Sequence, residues 1–483
     1  MSIRLRPRVL LALAVLVPLV NSCDDPAAPV PSGVVSVSID SSAGPIIRVA
    51  TITLERAAPV EVIYGAPGTP VLRIAVDSQS TVYRIPLPRL RAGSVYRFQA
   101  GIPADGGVHE TTFGTAALPP DLAEIELEET GTPTAPVALV EIASAGARAS
   151  DPGFTGMLMV ERGKIVGYVR VPGALFGSTR RANGHIVVVH PTLGLVSHRL
   201  DGSVAHQVSQ APAGVLFRRI HHDAIATPSN TILFIANDTL TVDGTHVVGE
   251  GLWEWNPEAG TVVKRWSAFN HLDWRTERGL EGGRSVPGNW LHGNGIKYGP
   301  RGNVVMSLRN ISQVISISPD FSTVEWKLGG ANPTLALPNA DRFFGQHYVS
   351  EPAPNRILVY DNGYARPGCS VHTDAACYSR AVEYSINNVA KTATQVWEYR
   401  HAPKIYAELV GSAVRLSNGN SVVLFGMRLP ESNSSGPRTA VEVNDAGTVR
   451  WRLNFLSENP TRLYRVTPAS ALLGESSGAF KTN

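Results

Sequence analysis

Apolar and polar residues alternate along most of this chain in short runs, and nearly every run stops at Gly, Pro, Asn, Ser or Asp. A period of two marks strands that bury one face. From Gly33 to about Glu128 the runs VVSVSID, IIRVATITLE, VEVIYGA, VLRIAVD, STVYRIPL, SVYRFQAGI and HETTFGT follow one another with little between them but turn residues. Such spacing predicts a small β-sandwich. ETGTPTAP, from Glu129 to Pro136, then reads as a linker.

From Val137 to the end of the chain at position 483 the texture changes to a longer repeat. An Asn/Gly turn precedes an apolar strand in NGHIVVVH, SNTILFIAN, RGNVVMSLR, PNRILVYDN and SNGNSVVLFG. A strand ending in an acidic or Gly turn comes next, as in GLWEWNPEAG, VISISPD, AVEYSINN and AVEVNDAG. Most units close on a Trp-bearing strand: VVKRWSA, VEWKLGG, QVWEYR, VRWRLNF. Repeats of about 35 to 70 residues, with three or four strands each, predict a six-bladed β-propeller in which the Trp residues pack between blades. RLYRV, at Arg462, is placed to complete the first blade and close the ring. The expected fold class is therefore all-β, a six-bladed propeller over 137–483 preceded by a sandwich over 33–128. Leu90-Arg91-Ala92-Gly93-Ser94-Val95-Tyr96 gives the sandwich a fibronectin/Ig-like stamp, because it resembles the segment in which a tyrosine buttresses a sandwich corner.

Composition sharpens this in three places. The chain is 43% hydrophobic and 17% charged, with 45 Gly and 35 Pro, enough apolar material for a large core and much turn punctuation. A net charge of only +3 gives no general attraction for polyanions, so no nucleic-acid partner is expected. The N-terminus carries Arg4, Arg6 and Arg8 ahead of VLLALAVLVPLV, a run interrupted by Pro18 and too short for a stable membrane span. Residues 1–22 read as a signal peptide. A small residue before Cys23 resembles the bacterial lipoprotein signal, so Cys23 is expected to be lipidated and residues 23–32 to form a flexible tether. The expected location is the bacterial cell envelope, on its periplasmic or extracellular face, with a membrane contact through the lipid and a homodimer among the admissible assemblies. Cys369 and Cys377 share one Gly/Pro-flanked loop, which in an exported protein favours a disulfide.

The chemistry-bearing residues recur with the repeat. RIHHDAIATPSNTILFIAND, WLHGNGIKYGPRGNVVMSLRN and FGQHYVSEPAPNRILVYDNG place His222, His292 and His347 roughly ten residues before an apolar strand, with a Pro/Asn/Gly turn between. Histidines at equivalent inner-strand positions converge on a propeller's channel. Neighbouring strand residues point to opposite faces, so only one of His221 and His222 is expected to face inward, and register against the other repeats selects His222. Arg309 ends the strand VVMSLR, after His292 and Asn294.

These residues resemble the bacterial arylsulfate sulfotransferases that do not use a soluble sulfonate-donor nucleotide. The resemblance covers roughly His221 to Arg450 and is carried by HHDA at His221, HGN at His292, SLR at Ser307, QHY at Gln346, YDNG at Tyr360, YSRAVEY at Tyr378 and SNGNSVV at Ser417. It implies a six-bladed propeller with an N-terminal β-sandwich. It also implies ping-pong transfer of a sulfuryl group from a phenolic sulfate donor to a phenol acceptor, through a sulfohistidine. His347 corresponds to the nucleophile, His222, His292 and Arg309 to surrounding catalytic groups, and Asn294 to a substrate-binding contact. No metal and no cofactor are implied. The chain departs from the pattern at Tyr348, where many members carry an aspartate.

The residue types suit that chemistry. A neutral imidazole is a nucleophile near neutral pH, and a guanidinium fork fits sulfonate oxygens. Two other readings use the same residues: a three-histidine metal site in a propeller hydrolase, and a surface-anchored propeller that binds partners without catalysis. Arg309 speaks against the metal, since a guanidinium repels a nearby divalent cation.

Overall fold

The computed structural model describes residues 32–143, 153–210, 219–277, 285–427, 437–457 and 462–481. The segment read as a signal peptide, Cys23, and the segment read as a tether as far as Pro31 lie outside them. The described chain is almost wholly β-strand with turns between; its one α-helix is the four-residue Pro120–Ala123.

The N-terminal strands join into one six-stranded sheet. Its spine is the long strand Arg48–Gly65, which pairs with Val34–Asp40 near its start, with Val95–Gly101 near its end, and with Leu72–Leu87 along most of its length. Because Val34–Asp40 also touches Val95–Gly101 and His109–Gly114 without pairing to them, the sheet folds over a core of Ile52, Leu54, Val62, Tyr64, Phe98 and Phe113. At one of its turns the Arg91 N–H donates to Tyr96 Oη at 2.7 Å. The far end of the chain returns here, where Ser476–Ser477 pairs with Leu72–Leu87.

The rest of the described chain is a β-propeller arrangement of antiparallel sheets, five of four strands and one of five. In five of them the strands run in chain order from the inside outward. The sixth takes its inner strand, Arg462–Ala469, from the C-terminal part of the chain and pairs it with Val137–Ala143. Leu127–Gly131, a segment the sequence ascribes to the end of the sandwich and the linker, instead adds a fifth strand beside Val449–Phe455. The inner strands Gly177–Arg180, Ile220–Ala226, Gly293–Tyr298, Tyr348–Ala353, Ser412–Arg415 and Arg462–Ala469 touch in succession. On the other flank of Arg462–Ala469, the Arg465 guanidinium donates to the Ser178 carbonyl at 3.4 Å.

Packing between sheets follows from the alternation. Middle strands such as Ile186–His190, Val304–Leu308, Gln313–Ile317 and Ser421–Phe425 are buried on both faces, and the tryptophans of the outer strands fill the wedges: Trp266, Trp326 and Trp451 are buried in separate inter-sheet cores, and Trp397 is partly buried in another. Truncating one such Trp would cost about 3–5 kcal/mol. A cavity of about 650 Å³ lies at the seam with the N-terminal sheet, bordered by Arg89, Glu129, Glu161 and Glu475, away from the histidines. Cys369 and Cys377 form a disulfide.

Candidate active site

The three histidines arise at the start of inner strands of consecutive sheets. His222 lies within Ile220–Ala226, His292 just before Gly293–Tyr298, and His347 just before Tyr348–Ala353. The structure brings them together: ring centroids are 4.5 Å apart for His222 and His292, and 6.4 Å for His222 and His347. Arg309 follows the second strand of the His292 sheet and is buried, its guanidinium 4.7 Å from the Tyr364 ring.

Local backbone explains the convergence. His222 and His292 have φ of +57° and +54°, the left-handed region that histidine enters more often than most residues but still at a cost of roughly 1–3 kcal/mol. The strain is held by hydrogen bonds to their own carbonyls. Tyr464 Oη donates to the His222 carbonyl at 3.1 Å, and the Arg309 N–H donates to the His292 carbonyl at 3.2 Å. The strand register slips between Ile220 and Ala224. His222 joins the cluster, while His221 turns its Nε2 to Glu250 on a later strand of the same sheet; the slip also lets the two rings meet, with His221 Nδ1 2.8 Å from His222 Nδ1.

His347 is set differently. Its N–H donates to the Tyr360 carbonyl at 3.1 Å, and its Nδ1 lies 3.2 Å from the Gly411 carbonyl. A carbonyl only accepts, so Nδ1 carries the hydrogen and Nε2 keeps its lone pair. Two glycines permit this. Gly345 has φ +56° and a Cβ there would lie 2.7 Å from Tyr364 Cβ, while Gly411 has φ +95° and a Cβ there would strike the Tyr360 ring. Burial holds His347 far below the ordinary histidine value of 6.5, at about 3, with Arg465 and Arg309 adding to the effect and the Gly411 carbonyl opposing it. Burial, then the neighbouring His292, His221, His347 and Arg309, push His222 well down too. Both rings are therefore neutral at neutral pH. Phe176 stacks on His222 with centroids 5.0 Å apart, and Tyr464 meets His347 edge-on at 4.8 Å, giving the cluster aromatic walls.

Asn294 is fully buried, and its side-chain amide donates to the Gln346 carbonyl at 2.8 Å, bracing the backbone immediately before His347. Gln346 in turn donates to Ser307 Oγ at 3.1 Å and the Gln313 carbonyl at 2.9 Å. Tyr348 packs beside a buried ionic cluster. Arg465 lies 5.1 Å and Lys297 5.4 Å from its ring, and burial pushes its hydroxyl up to about 12. The carboxylates of that cluster come from other strands: Asp223 is 3.0 Å from Arg465 and 3.4 Å from Lys297, and Glu141 is 4.0 Å from Arg465. Orientation of the His347 ring thus falls to a backbone carbonyl and not to a neighbouring aspartate.

A family model for arylsulfotransferase (ASST) matches residues 154–465. The chain belongs to the arylsulfotransferase family. The match takes in all three histidines, Arg309 and the ionic cluster apart from Glu141. Arylsulfotransferase activity, with a sulfate donor and a phenol acceptor, follows from that membership. No curated protein matches the sequence significantly. Among solved structures, this arylsulfotransferase resembles a streptogramin B lyase at 10% identity, covering 85% of this chain and 98% of that one with a TM-score of 0.35. It also resembles a catalytically inactive virginiamycin B lyase from Staphylococcus aureus with quinupristin, at 11% identity, 85% and 100% coverage and a TM-score of 0.32. A quinonprotein alcohol dehydrogenase-like protein from Bacteroides thetaiotaomicron shares 10% identity, over 89% and 98% of the two chains, with a TM-score of 0.36. Likenesses this loose transfer no residue role.

The residues that sequence reasoning did not single out are Glu250, Asn237, Phe176, Tyr464, Arg465 and Lys297. Glu250 and Asn237 had no local signal, since the site receives them from later strands of the His222 sheet. Asp223 was visible within HHDA, but its ionic role needed the facing strands. Among the described residues no group of three or more His, Cys, Asp or Glu side chains is spaced to hold a metal ion.

Proposed function

We propose that the protein moves a sulfuryl group from a phenolic sulfate ester to a second phenol by a ping-pong mechanism, with His347 as the covalent carrier. The observation that carries this reading is the fixed tautomer of a neutral His347: Nδ1–H is spent on the Gly411 carbonyl, which leaves Nε2 bare on a ring 6.4 Å from that of His222, itself packed against His292. In the first half-reaction Nε2 attacks sulfur, the S–O bond to the aryl group breaks, and the phenolate leaves with a proton. In the second, the acceptor oxygen attacks sulfur, the S–N bond breaks, and the acceptor's proton returns to the site. Sulfuryl transfer through a loose transition state spreads charge over the non-bridging and leaving oxygens, as in phosphoryl transfer. Arg309 serves the sulfonate oxygens, while His222 and His292 serve the leaving oxygen, a proton-transfer contribution of about 10²–10⁴-fold. Asn294 acts by holding the Gln346 backbone.

The fold offers a frame for this site as a six-bladed ring closed by Arg462–Ala469, preceded by a fibronectin/Ig-like domain whose tyrosine corner is Tyr96. Anchoring through a lipid on Cys23 at the face of a bacterial envelope membrane completes the proposal, motivated by Val20-Asn21-Ser22-Cys23. Loss of lipid labelling in Cys23→Ala is the expected result there, and unchanged labelling overturns the anchor.

The test of the chemistry is a rapid-mixing burst. A chromogenic aryl sulfate without acceptor should release phenol in an amount equal to the enzyme, then slowly as water attacks the adduct. An acceptor phenol should convert the slow phase to rapid turnover. Sequential kinetics with no adduct would end the ping-pong reading.

A further inference from the structure

Behind His222 a line of buried groups runs away from the histidine cluster. His221 Nδ1 faces His222 Nδ1 at 2.8 Å, and His221 Nε2 faces Glu250 Oε2 at 2.9 Å. The other Glu250 oxygen accepts the Gly293 N–H at 2.9 Å, and the Asn237 side-chain amide lies 2.9 Å from His221 Nε2. His221 and Glu250 are both nearly inaccessible to water. A carboxylate only accepts, so His221 Nε2 carries a hydrogen, and the Asn237 amide is then turned so that its oxygen and not its nitrogen faces that hydrogen; between the two Nδ1 atoms one nitrogen carries a hydrogen and the other a lone pair.

That leaves two proton arrangements. In one, His222 Nδ1–H donates to His221, and His222 Nε2 is bare. In the other, the line holds one more proton: His221 has both N–H groups and sits as a cation against Glu250, His222 Nδ1 accepts, and His222 Nε2 carries a hydrogen while its ring stays uncharged. We propose that Glu250, His221 and His222 form a proton relay that gives a proton to the leaving phenol and takes one back from the acceptor phenol. The relay rests on the sulfuryl-transfer reading above and specifies how its protons move.

The relay resolves a difficulty of that site. His222 borders His292, His347 and Arg309, and burial in their company disfavours its own imidazolium. As a lone acid it would seldom hold the proton it must give. With the relay, positive charge rests on the ring that faces a carboxylate, and His222 donates as a neutral Nε2–H. As the S–O bond breaks, that hydrogen passes to the aryl oxygen, and the His221 Nδ1 hydrogen shifts to His222 Nδ1. The Nε2 electron pair of His347 forms the S–N bond. In the second half-reaction the acceptor O–H gives its proton to His222 Nε2, the shift reverses, and His347 recovers its lone pair. No proton is gained or lost over the cycle. Glu250 also holds Gly293, next to His292, so one carboxylate registers both strained histidines. His221 and Glu250 are positioning residues, since they act through His222.

The dependence of rate on the leaving group distinguishes a relay from a structural support. kcat/KM is measured for a series of aryl sulfates, from 4-nitrophenyl to unsubstituted phenyl, with wild type, Glu250→Gln and His221→Asn. The nitrophenolate needs little protonation, so its transfer should fall by less than about tenfold, whereas phenyl sulfate should lose roughly 10²–10³-fold. His221→Asn leaves the Glu250–Gly293 bond in place, so it covers the case in which Glu250→Gln disturbs the backbone. Equal losses across the donor series in both variants, or none, would overturn the relay while leaving the carrier histidine untouched. Absence of transfer by wild type from any of these donors would instead overturn the underlying reading.

Discussion

Two groups of buried or half-buried titratable side chains meet at the inner strands of this propeller, and burial acts on them in opposite ways. His222, His292 and His347 gather where, among the described residues, no carboxylate bonds directly to the rings of His222 or His347. Burial then strips the charge, and His347 remains neutral down to about pH 3. A few residues away, Asp223, Arg465, Lys297 and Glu141 lie between Tyr348 and the closing strand. Burial would raise the Asp223 carboxyl, but Arg465 and Lys297 outweigh it and the group stays ionised. Lys297 is lowered by burial only to about 8, since Asp223 opposes the shift. One protein interior thus produces nucleophiles where counter-charges are withheld and fixed charges where they are supplied. The ionic group also ties Arg462–Ala469 to Ile220–Ala226, so it joins the C-terminal strand to the one bearing His222.

The sharpest break of this contrast is His347→Asn. Without the imidazole the burst and the transfer should disappear, a loss on the order of 10⁴-fold or more, as for removing a catalytic nucleophile. Far-UV circular dichroism should be unchanged, because among the described residues the ring's one polar bond is to Gly411. Sulfate label from the donor found on another residue would displace His347 as carrier.

Next in size is Asp223→Asn, which attacks the ionic group. It leaves the buried Arg465 and the half-buried Lys297 with less counter-charge, and breaking a buried pair such as Asp223–Arg465 costs about 3–5 kcal/mol. Urea unfolding should show that loss. A change under 1 kcal/mol would mean that water screens the cluster.

Smallest per unit of change is the effect of pH. The folded value of His347 lies near 3 and the ordinary one at 6.5, so between these limits the unfolded chain binds the extra proton. Stability should therefore fall as pH drops through that window, by up to roughly 1.4 kcal/mol per pH unit for this one ring, with His222 acting in the same direction. Above about pH 6.5 neither ring should contribute a slope. Comparing wild type with His347→Asn by unfolding at several pH values isolates the contribution; identical slopes would show that His347 is solvated.

Much of this was legible before any coordinates. The Asn/Gly turn, apolar strand and Trp strand repeat gave the blades, because strand alternation and turn chemistry are local. His222, His292, His347 and Arg309 were legible as a set because equivalent positions in repeats converge. The contact between His221 and His222 was not. It depends on a left-handed residue and a register slip, and a rule of alternation has no knowledge of either. Leu127–Gly131 likewise carries too few apolar residues to announce a strand; it becomes one because Val449–Phe455 offers it an edge.

The sequence by itself determined the all-β class, the repeat, the candidate histidines and the family, since each is written in patterns of neighbouring residues. Only the tertiary structure decided which nitrogen of His347 is free, that Glu250 stands behind His221, and that Asp223 meets Arg465 across 242 positions of chain. Those are matters of protonation and charge, which depend on what lies within a few ångströms in space, and residues distant in the chain supply most of it.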